Sequence, residues 1–379
     1  MSEGPMAGTA HRAGGRHGSG LDDAHGRAHG APRPDQAVDV AALEAYLCAT
    51  IDGLHGPLEV SQFEHGHANL TYLLRLGGRD LVLRRPPLGP VAPLALDMYR
   101  EHCVLAALGD AYPRAPRALL YCADAGVIGA PFVIMEHRVG VTIRSSLPPT
   151  LPGEDAGRRA SEALIDALVD LHQVEPLRSG LGEMGRPRSY AERHLTGWLR
   201  RLRALGVDRS ALPLEEVGEG LLASLPRPQR TSIVHNDFTL DNCQFAPGRP
   251  DVVTTVLDWD MACLGDPLLD LGILLAYWPD PDDPISRHRV MFPGLEQAPL
   301  ARRQEMVGWY AERSPLRLRD LAWYEAFGLW RAAVVNLQLR QRFAEGQTRD
   351  RRLGDRGRCV TPLTQAAQEA LGRFRAGRS

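Results

Sequence analysis

From Leu58 to Glu136 the apolar residues fall in short strand-like runs bounded by turn residues, whereas beyond Glu136 they recur at helical spacing. Strands are expected at Leu58–Phe63, Leu70–Leu76 and Leu81–Arg84, the last two joined by a Gly77-Gly78 hairpin turn. A helix over Ala41–Ile51 precedes them and another over Asp97–Leu108 follows, before strand runs at Ala118–Cys122 and Phe132–Glu136. A polar connector, His137–Thr142, then leads into long helical patterns. In Ala160–Gln173 the apolar residues Ala163, Leu164, Ala167, Leu168 and Leu171 line one face. Further helices are expected at Tyr190–Leu205, Leu268–Tyr277, Ala301–Glu312, Leu318–Phe343 and Thr361–Phe374, interrupted by short strands at Cys243–Phe245 and Val252–Leu257. The pattern predicts an α+β chain of two lobes: a small lobe over residues 39–137 with a five-stranded antiparallel sheet, and a larger, mostly helical lobe over 138–379. Residues 1–38 are rich in Gly, His, Ala and Arg without a hydrophobic period, so they are expected to form a disordered tail. Its histidines, His11, His17, His25 and His29, are read as solvated rather than metal-binding.

Composition narrows the function classes. The chain has 379 residues, 44% of them hydrophobic, and a formal net charge of -2; it contains no lysine, so every fixed cation is an arginine. With no basic excess, a nucleic-acid surface is not expected. Six cysteines without a C-x-x-C pair read as reduced thiols, which points to the cytoplasm. No run approaches the roughly 20 apolar residues of a membrane span, and no secretory signal pattern stands at the start. No membrane association is expected; the oligomeric state is not legible.

The stretch richest in chemistry is Ile233-Val234-His235-Asn236-Asp237-Phe238-Thr239-Leu240-Asp241-Asn242, followed by Val256-Leu257-Asp258-Trp259-Asp260. An isolated Asp-x-x-x-x-Asn is a turn by default. Here, however, His235 follows an Ile-Val strand and a second aspartate ends another apolar strand. Phosphoryl transfer needs an acidic group to orient a hydroxyl and oxygen ligands to hold Mg²⁺ on phosphates. Asp237 suits the first role, and Asn242 with Asp258 the second, because Mg²⁺ needs only one or two protein oxygens beside water and phosphate.

On these motifs the chain resembles the aminoglycoside phosphotransferase family, relatives of choline and homoserine kinases, over roughly residues 55 to 345. Phe63–Leu74, Tyr72–Pro87, the Arg100-Glu101 helix and Leu264–Gly272 are most similar to the acyl-CoA dehydrogenase-linked subgroup. The resemblance implies a bilobal protein-kinase-like fold, with ATP and Mg²⁺ as cofactors. It places Gly66, Asn69 and Thr71 in the loop and strand that cover the phosphates, where the family carries a second glycine and a serine in place of His65 and Ala68. Arg84 stands where protein kinases carry a nucleotide-binding lysine, with Glu101 as its ion-pair partner; a surface salt bridge is the alternative. Met135, Glu136 and Arg138 resemble the hinge that receives adenine, largely through backbone groups. Asp266 is expected as a helix cap before Pro267, the Asp266–Asp270 segment as a buttress of the catalytic loop, and His172 as a core histidine. The acceptor is expected against the late helices around Trp309-Tyr310 and Trp323–Trp330. From Asp280 to Glu345 nine acids face ten arginines, which disfavours a polycationic aminoglycoside and suits an anionic hydroxyacyl-CoA. An antibiotic phosphotransferase and a catalytically silent nucleotide-binding scaffold are the alternatives.

Overall fold

The computed structural model describes residues 21–22, 28–63, 69–87, 98–176, 190–205, 213–283, 291, 293–295, 298–346 and 351–377. Seven strands, β1 (Leu21–Asp22), β2 (Ala28–Gly30), β3 (Glu59–Phe63), β4 (Leu70–Leu76), β5 (Arg79–Arg85), β6 (Ala118–Cys122) and β7 (Phe132–Glu136), form one antiparallel sheet in the order β1-β2-β3-β4-β5-β7-β6. The five expected strands are its body. Gly77 and Gly78, at φ 61° and 73°, make the β4–β5 turn in the left-handed region that suits a two-residue hairpin.

Strand period sets the layers. Along β7, Phe132 and Ile134 join the core beneath helix α1 (Val40–Thr50), with Leu43, Leu47, Tyr72 and Leu83. Val133 and Met135 point the other way, into the core shared with helix α2 (Met98–Leu108) and the helical part of the molecule. Asp39 caps α1 by accepting the Ala42 N–H at 3.0 Å.

Residues 28–38, expected as part of a featureless tail, are instead held in place. Arg85 is fully buried, and its guanidinium donates to the Gln36 carbonyl at 2.8 Å, while the Tyr72 hydroxyl donates to the same oxygen at 2.5 Å. A buried guanidinium must find acceptors, and hydropathy does not register that demand.

The helical part comprises α3 (Ala156–Gln173), α4 (Tyr190–Ala204), α5 (Leu214–Leu222), α6 (Leu268–Ala276), α7 (Arg303–Arg313), α8 (Leu321–Ala344), α9 (Arg351–Asp355) and α10 (Val360–Ala376). Helix α5 was not expected, because Gly218 and Gly220 weaken its pattern; the indole N–H groups of Trp323 and Trp330 donate to its Leu221 and Leu214 carbonyls and hold it. Strand β8 (Val141–Thr142) joins β10 (Cys243–Ala246) and β11 (Arg249–Val256), and β9 (Ser232–Val234) pairs with β12 (Cys263–Gly265). No disulfide joins any of the six cysteines. Among the described residues no helix is long and apolar enough to cross a membrane.

Helices α6 and α8 cross with backbones in contact. A Cβ on Gly328 would run into the Gly272 carbonyl, and one on Gly272 into that of Tyr324. The crossing matters for the site, since α6 carries Asp270 and α8 carries Arg331. Gly328→Ala is expected to push the helices apart and cost about 1–3 kcal/mol, read as a lowered urea midpoint; an unchanged midpoint would show the crossing to be compliant.

Candidate active site

Strand β9 delivers His235, Asn236 and Asp237 into a loop whose first two backbone N–H groups point at one carboxylate. Asp270, fully buried on α6, accepts from His235 N–H and Asn236 N–H, each at 2.7 Å. Behind it, His172 lies 3.3 Å from the same carboxylate and 2.8 Å from the Tyr310 hydroxyl. Asn236 has φ 63°, outside the range most side chains accept, and its amide donates to the Met261 carbonyl at 2.9 Å and the Cys263 Sγ at 3.2 Å. Those bonds hold the bend that turns Asp237 outward.

Asp237 is approached from two sides. The Asn242 side-chain amide donates to its Oδ2 at 3.1 Å and to its carbonyl at 2.9 Å, which leaves Asn242 Oδ1 directed away as an acceptor. The Arg331 guanidinium stands 3.6 Å from Oδ1. Burial raises the Asp237 carboxyl above its ordinary value; Arg331 opposes the shift without cancelling it. His235 Nε2 lies 2.8 Å from the Leu257 carbonyl while its Nδ1 accepts the Asp237 N–H at 3.2 Å, assigning the neutral Nε2–H tautomer. The Leu257 N–H in turn donates to the Asn242 carbonyl at 2.8 Å. The loop and the end of β11 are thereby clipped together just before Asp258.

Asp258 has φ 67° and, with Asn236, makes up the non-glycine positive-φ residues among those described. Backbone strain at two adjacent points of one cleft marks a site where geometry outweighs local preference. Arg84 donates to Asp258 Oδ1 at 2.7 Å, pairs with the buried Glu101, and lies 3.6 Å from Asp260. Burial alone would lower the Arg84 guanidinium, but Glu101, Asp258 and Asp260 outweigh it and hold it above its ordinary value. Burial also opposes ionisation of Asp258, and Arg84 overrides it, so that carboxyl lies below its ordinary value. Asp260, desolvated and beside the Asp258 charge, is pushed up to about 9.

Among the described residues no group of three or more His, Cys, Asp and Glu side chains forms a metal cage. The donor set fits a hard cation that brings its own water and phosphate ligands: Asn242 offers Oδ1 and Asp258 the carboxylate oxygen not taken by Arg84, both oxygens and both at the cleft.

Other predicted site residues stand around this cluster. Thr71 is the β4 partner of Arg84. Asn69 is buried, and neither side-chain polar atom has a partner among the described residues. Met135 is buried on β7; Glu136 pairs with Leu81, donates its N–H to the Arg117 carbonyl at 3.0 Å, and ion-pairs with Arg138. The Glu136 N–H is therefore already committed within the protein. Gly66, with the rest of Glu64–Ala68, lies outside the described residues. Asp266 accepts the Leu268 N–H at 3.1 Å, as expected of a cap, and also the Tyr324 hydroxyl at 2.6 Å. Sequence reasoning passed over Arg331 and gave Asp260 no role. The signal for Arg331 was a charge set in the apolar run Leu329-Trp330-Arg331-Ala332-Ala333-Val334, which is costly to bury without purpose.

A cleft with an Arg–Glu pair on its sheet side, facing a loop aspartate, its asparagine and a strand-end aspartate, defines a small-molecule phosphotransferase of kinase-like fold. The chain belongs to the APH phosphotransferase enzyme family, whose model matches residues 59–292. It is 38% identical to acyl-CoA dehydrogenase family member 10 of Mus musculus over 67% of this chain and 24% of that one, and 30% identical to family member 11 of Gallus gallus over 90% and 44%. The chain thus spans less than half the length of these relatives. Among solved structures, a putative aminoglycoside phosphotransferase from Ralstonia eutropha is 28% identical and aligns at a TM-score of 0.69, covering 89% of this chain and 99% of that one. A thermostable mutant of aminoglycoside phosphotransferase APH(4)-Ia, in ternary complex with AMP-PNP and hygromycin B, shares the fold at 19% identity, a TM-score of 0.54, and 86% and 98% coverage.

The raised Asp260 makes a pH prediction. Folded, it keeps a proton up to about pH 9, whereas unfolded it loses it near 3.8. The folded state therefore binds more protons across that window, and its contribution to stability falls as pH rises through it. Urea midpoints of the metal-free protein are expected to decline between about pH 6 and 9, with Asp260→Asn flattening the slope; an equal slope in the variant would refute the assignment.

Proposed function

We propose that this chain is an ATP- and Mg²⁺-dependent kinase that phosphorylates the hydroxyl group of an acyl derivative, with a hydroxyacyl-CoA as the acceptor class. The observation that carries the reading is the Asp237 carboxylate, open to the cleft between Asn242 on one oxygen and Arg331 on the other. Asp237 accepts the hydrogen bond of the acceptor hydroxyl, aims its oxygen and takes its proton. A carboxyl raised by burial is the better base for this. Asn242 and Asp258 would hold the divalent ion, which when bound supplies charge neutralisation on the phosphate oxygens. Arg84, anchored by Glu101, extends to the same point and offers its remaining N–H groups to phosphate. Residues 39–137 would then serve as the nucleotide lobe, with Asn69, Thr71, Met135, Glu136 and Arg138 around the base and phosphates, and residues 138–379 as the catalytic and acceptor lobe.

The acyl-CoA assignment draws on the relatives: a phosphotransferase segment matching part of chains named acyl-CoA dehydrogenases points to an acyl-CoA derivative as the shared substrate. Arginine rather than acid beside Asp237 supports it over an amino sugar. Cysteines that form no disulfide fit a reducing compartment such as the cytoplasm.

With Mg-ATP and a panel of hydroxyacyl-CoAs, Asp237→Asn is expected to lower kcat by about 10²–10⁴-fold while nucleotide affinity is kept. Asp258→Ala is expected to abolish the Mg²⁺ dependence of nucleotide binding, measured by calorimetry. Wild-type turnover in Asp237→Asn, or equal nucleotide affinity with and without Mg²⁺ in the parent, would sink the reading.

A further inference from the structure

We infer that Arg331 reads the acceptor: its guanidinium binds an oxygen of the acyl group, a carboxylate or thioester carbonyl, whose hydroxyl lies on Asp237. The inference rests on the kinase reading above and adds the residue that selects the substrate.

Arg331 is 2% exposed, deep within α8. Its Nη2 meets Asp237 Oδ1 at 3.6 Å and the Met261 Sδ at 3.4 Å, both weak contacts for a guanidinium, while Nε and Nη1 have no hydrogen-bond partner among the described residues. A buried cation with two unmet donors is costly, so these donors suit an acceptor that the described residues do not supply. Asp237 divides the cleft. Its Oδ2 faces Asn242, on the side of Asp258 and Arg84, and its Oδ1 faces Arg331, on the side of α4. Arg331 therefore stands on the side of Asp237 away from the groups suited to metal and phosphate, the side left for the acceptor.

The surroundings of Arg331 are cationic and aromatic. Arg331 and Arg201 share the Trp198 ring, with guanidinium carbons 5.8 and 4.7 Å from its centroid. Burial holds Arg201 below its ordinary value, and the positive charge of the neighbouring Arg200 and Arg331 adds to the shift. His194 relieves none of it. Its ring nitrogens are engaged by the Tyr190 hydroxyl at 2.9 Å and the Trp198 indole at 2.7 Å, and burial keeps it neutral with a pKa of about 3. An acyl oxygen near the reacting hydroxyl would satisfy Arg331 and relieve the repulsion; an ammonium there would increase it.

The test uses the full chain with Mg-ATP and four matched acceptors: 4-hydroxybutyryl-CoA, 4-hydroxybutyrate, 1,4-butanediol and 4-aminobutan-1-ol. The parent is expected to favour the thioester or the acid over the diol and to reject the amine, the first two separating a carbonyl from a carboxylate contact. Arg331→Met is expected to cut the kcat/KM ratio of the favoured acyl acceptor to the diol by about 10–100-fold, as for loss of a charged hydrogen bond, with Arg331→Lys between. The melting temperature of Arg331→Met is expected to hold or rise, since an under-partnered buried charge is removed. A ratio unchanged in Arg331→Met while Asp237→Asn still loses turnover overturns the inference and leaves the kinase intact. An equal fall in kcat on every acceptor also overturns it, assigning Arg331 to the transferred phosphoryl group, as does a lowered melting temperature with the ratio kept, which marks a structural role. If no acceptor is turned over, the kinase reading fails, and calorimetry of 4-hydroxybutyrate and 4-hydroxybutyryl-CoA decides for Arg331: binding lost in Arg331→Met supports it, and equal or absent binding refutes it.

Discussion

The buried carboxylate of Asp270 is the constraint on which the site depends. It accepts the N–H groups of His235 and Asn236, and a carboxylate shared by two consecutive amides dictates how the chain leaves β9. The left-handed bend at Asn236 and the outward aim of Asp237 follow from that anchor. Charge-assisted bonds in a dry environment are strong, and breaking one would leave a buried charge partly unpaired. The close crossing of α6 and α8 at Gly272 and Gly328 sets where Asp270 lies, and the same crossing brings Arg331 to the far side of Asp237. One packing contact thus places both the support of the loop and the cation beside it.

A chain without lysine must do cationic work with a longer, planar group. Arg84 illustrates the consequence. An ammonium is a compact point charge, but the forked guanidinium reaches Glu101 and Asp258 together, closing the sheet side of the cleft onto the strand-end aspartate. Asp258 is held ionised by this contact while Asp260 beside it is pushed toward its neutral form. The two neighbouring carboxyls are driven apart in acidity, Asp258 lowered by Arg84 and Asp260 raised by burial and the Asp258 charge, which keeps a single negative charge where a cation would bind.

Part of the strain and unmet polarity falls at the site. Asn236 and Asp258 carry left-handed backbone, and the unpartnered buried atoms among the described residues include some on Asn69, Glu101 and Arg331, beside others far from the proposed reaction such as those on Arg85 and Asn336. Stability is given up locally and supported by the surrounding aromatic core of α8, in which Trp323, Phe327 and Trp330 are fully buried. The late aromatics act chiefly in packing, while on α4 Trp198 lies against Arg331 and Tyr190 against His194.

Much of this was legible in the chain itself. The strand and helix periods specified the antiparallel sheet and the helical part, since alternation and helical spacing are local consequences of burying one face. The spacing of His235, Asp237, Asn242 and Asp258 marked the candidate site, because one loop and one hairpin bring those residues together over a short stretch of sequence. Other features depended on partners far away in sequence. The placement of residues 28–38 waited on Arg85, helix α5 on two indole donors from α8, and the meeting of Arg84 with Asp258 on contact across 174 positions. Arg331 was visible only as a charge in an apolar run. Its face of the helix, its distance from Asp237 and its unmet donors follow from how α4, α6 and α8 pack. Sequence determines which groups are present and what each demands; whether a demand is met, and by what, is decided only when distant segments share a dry interior.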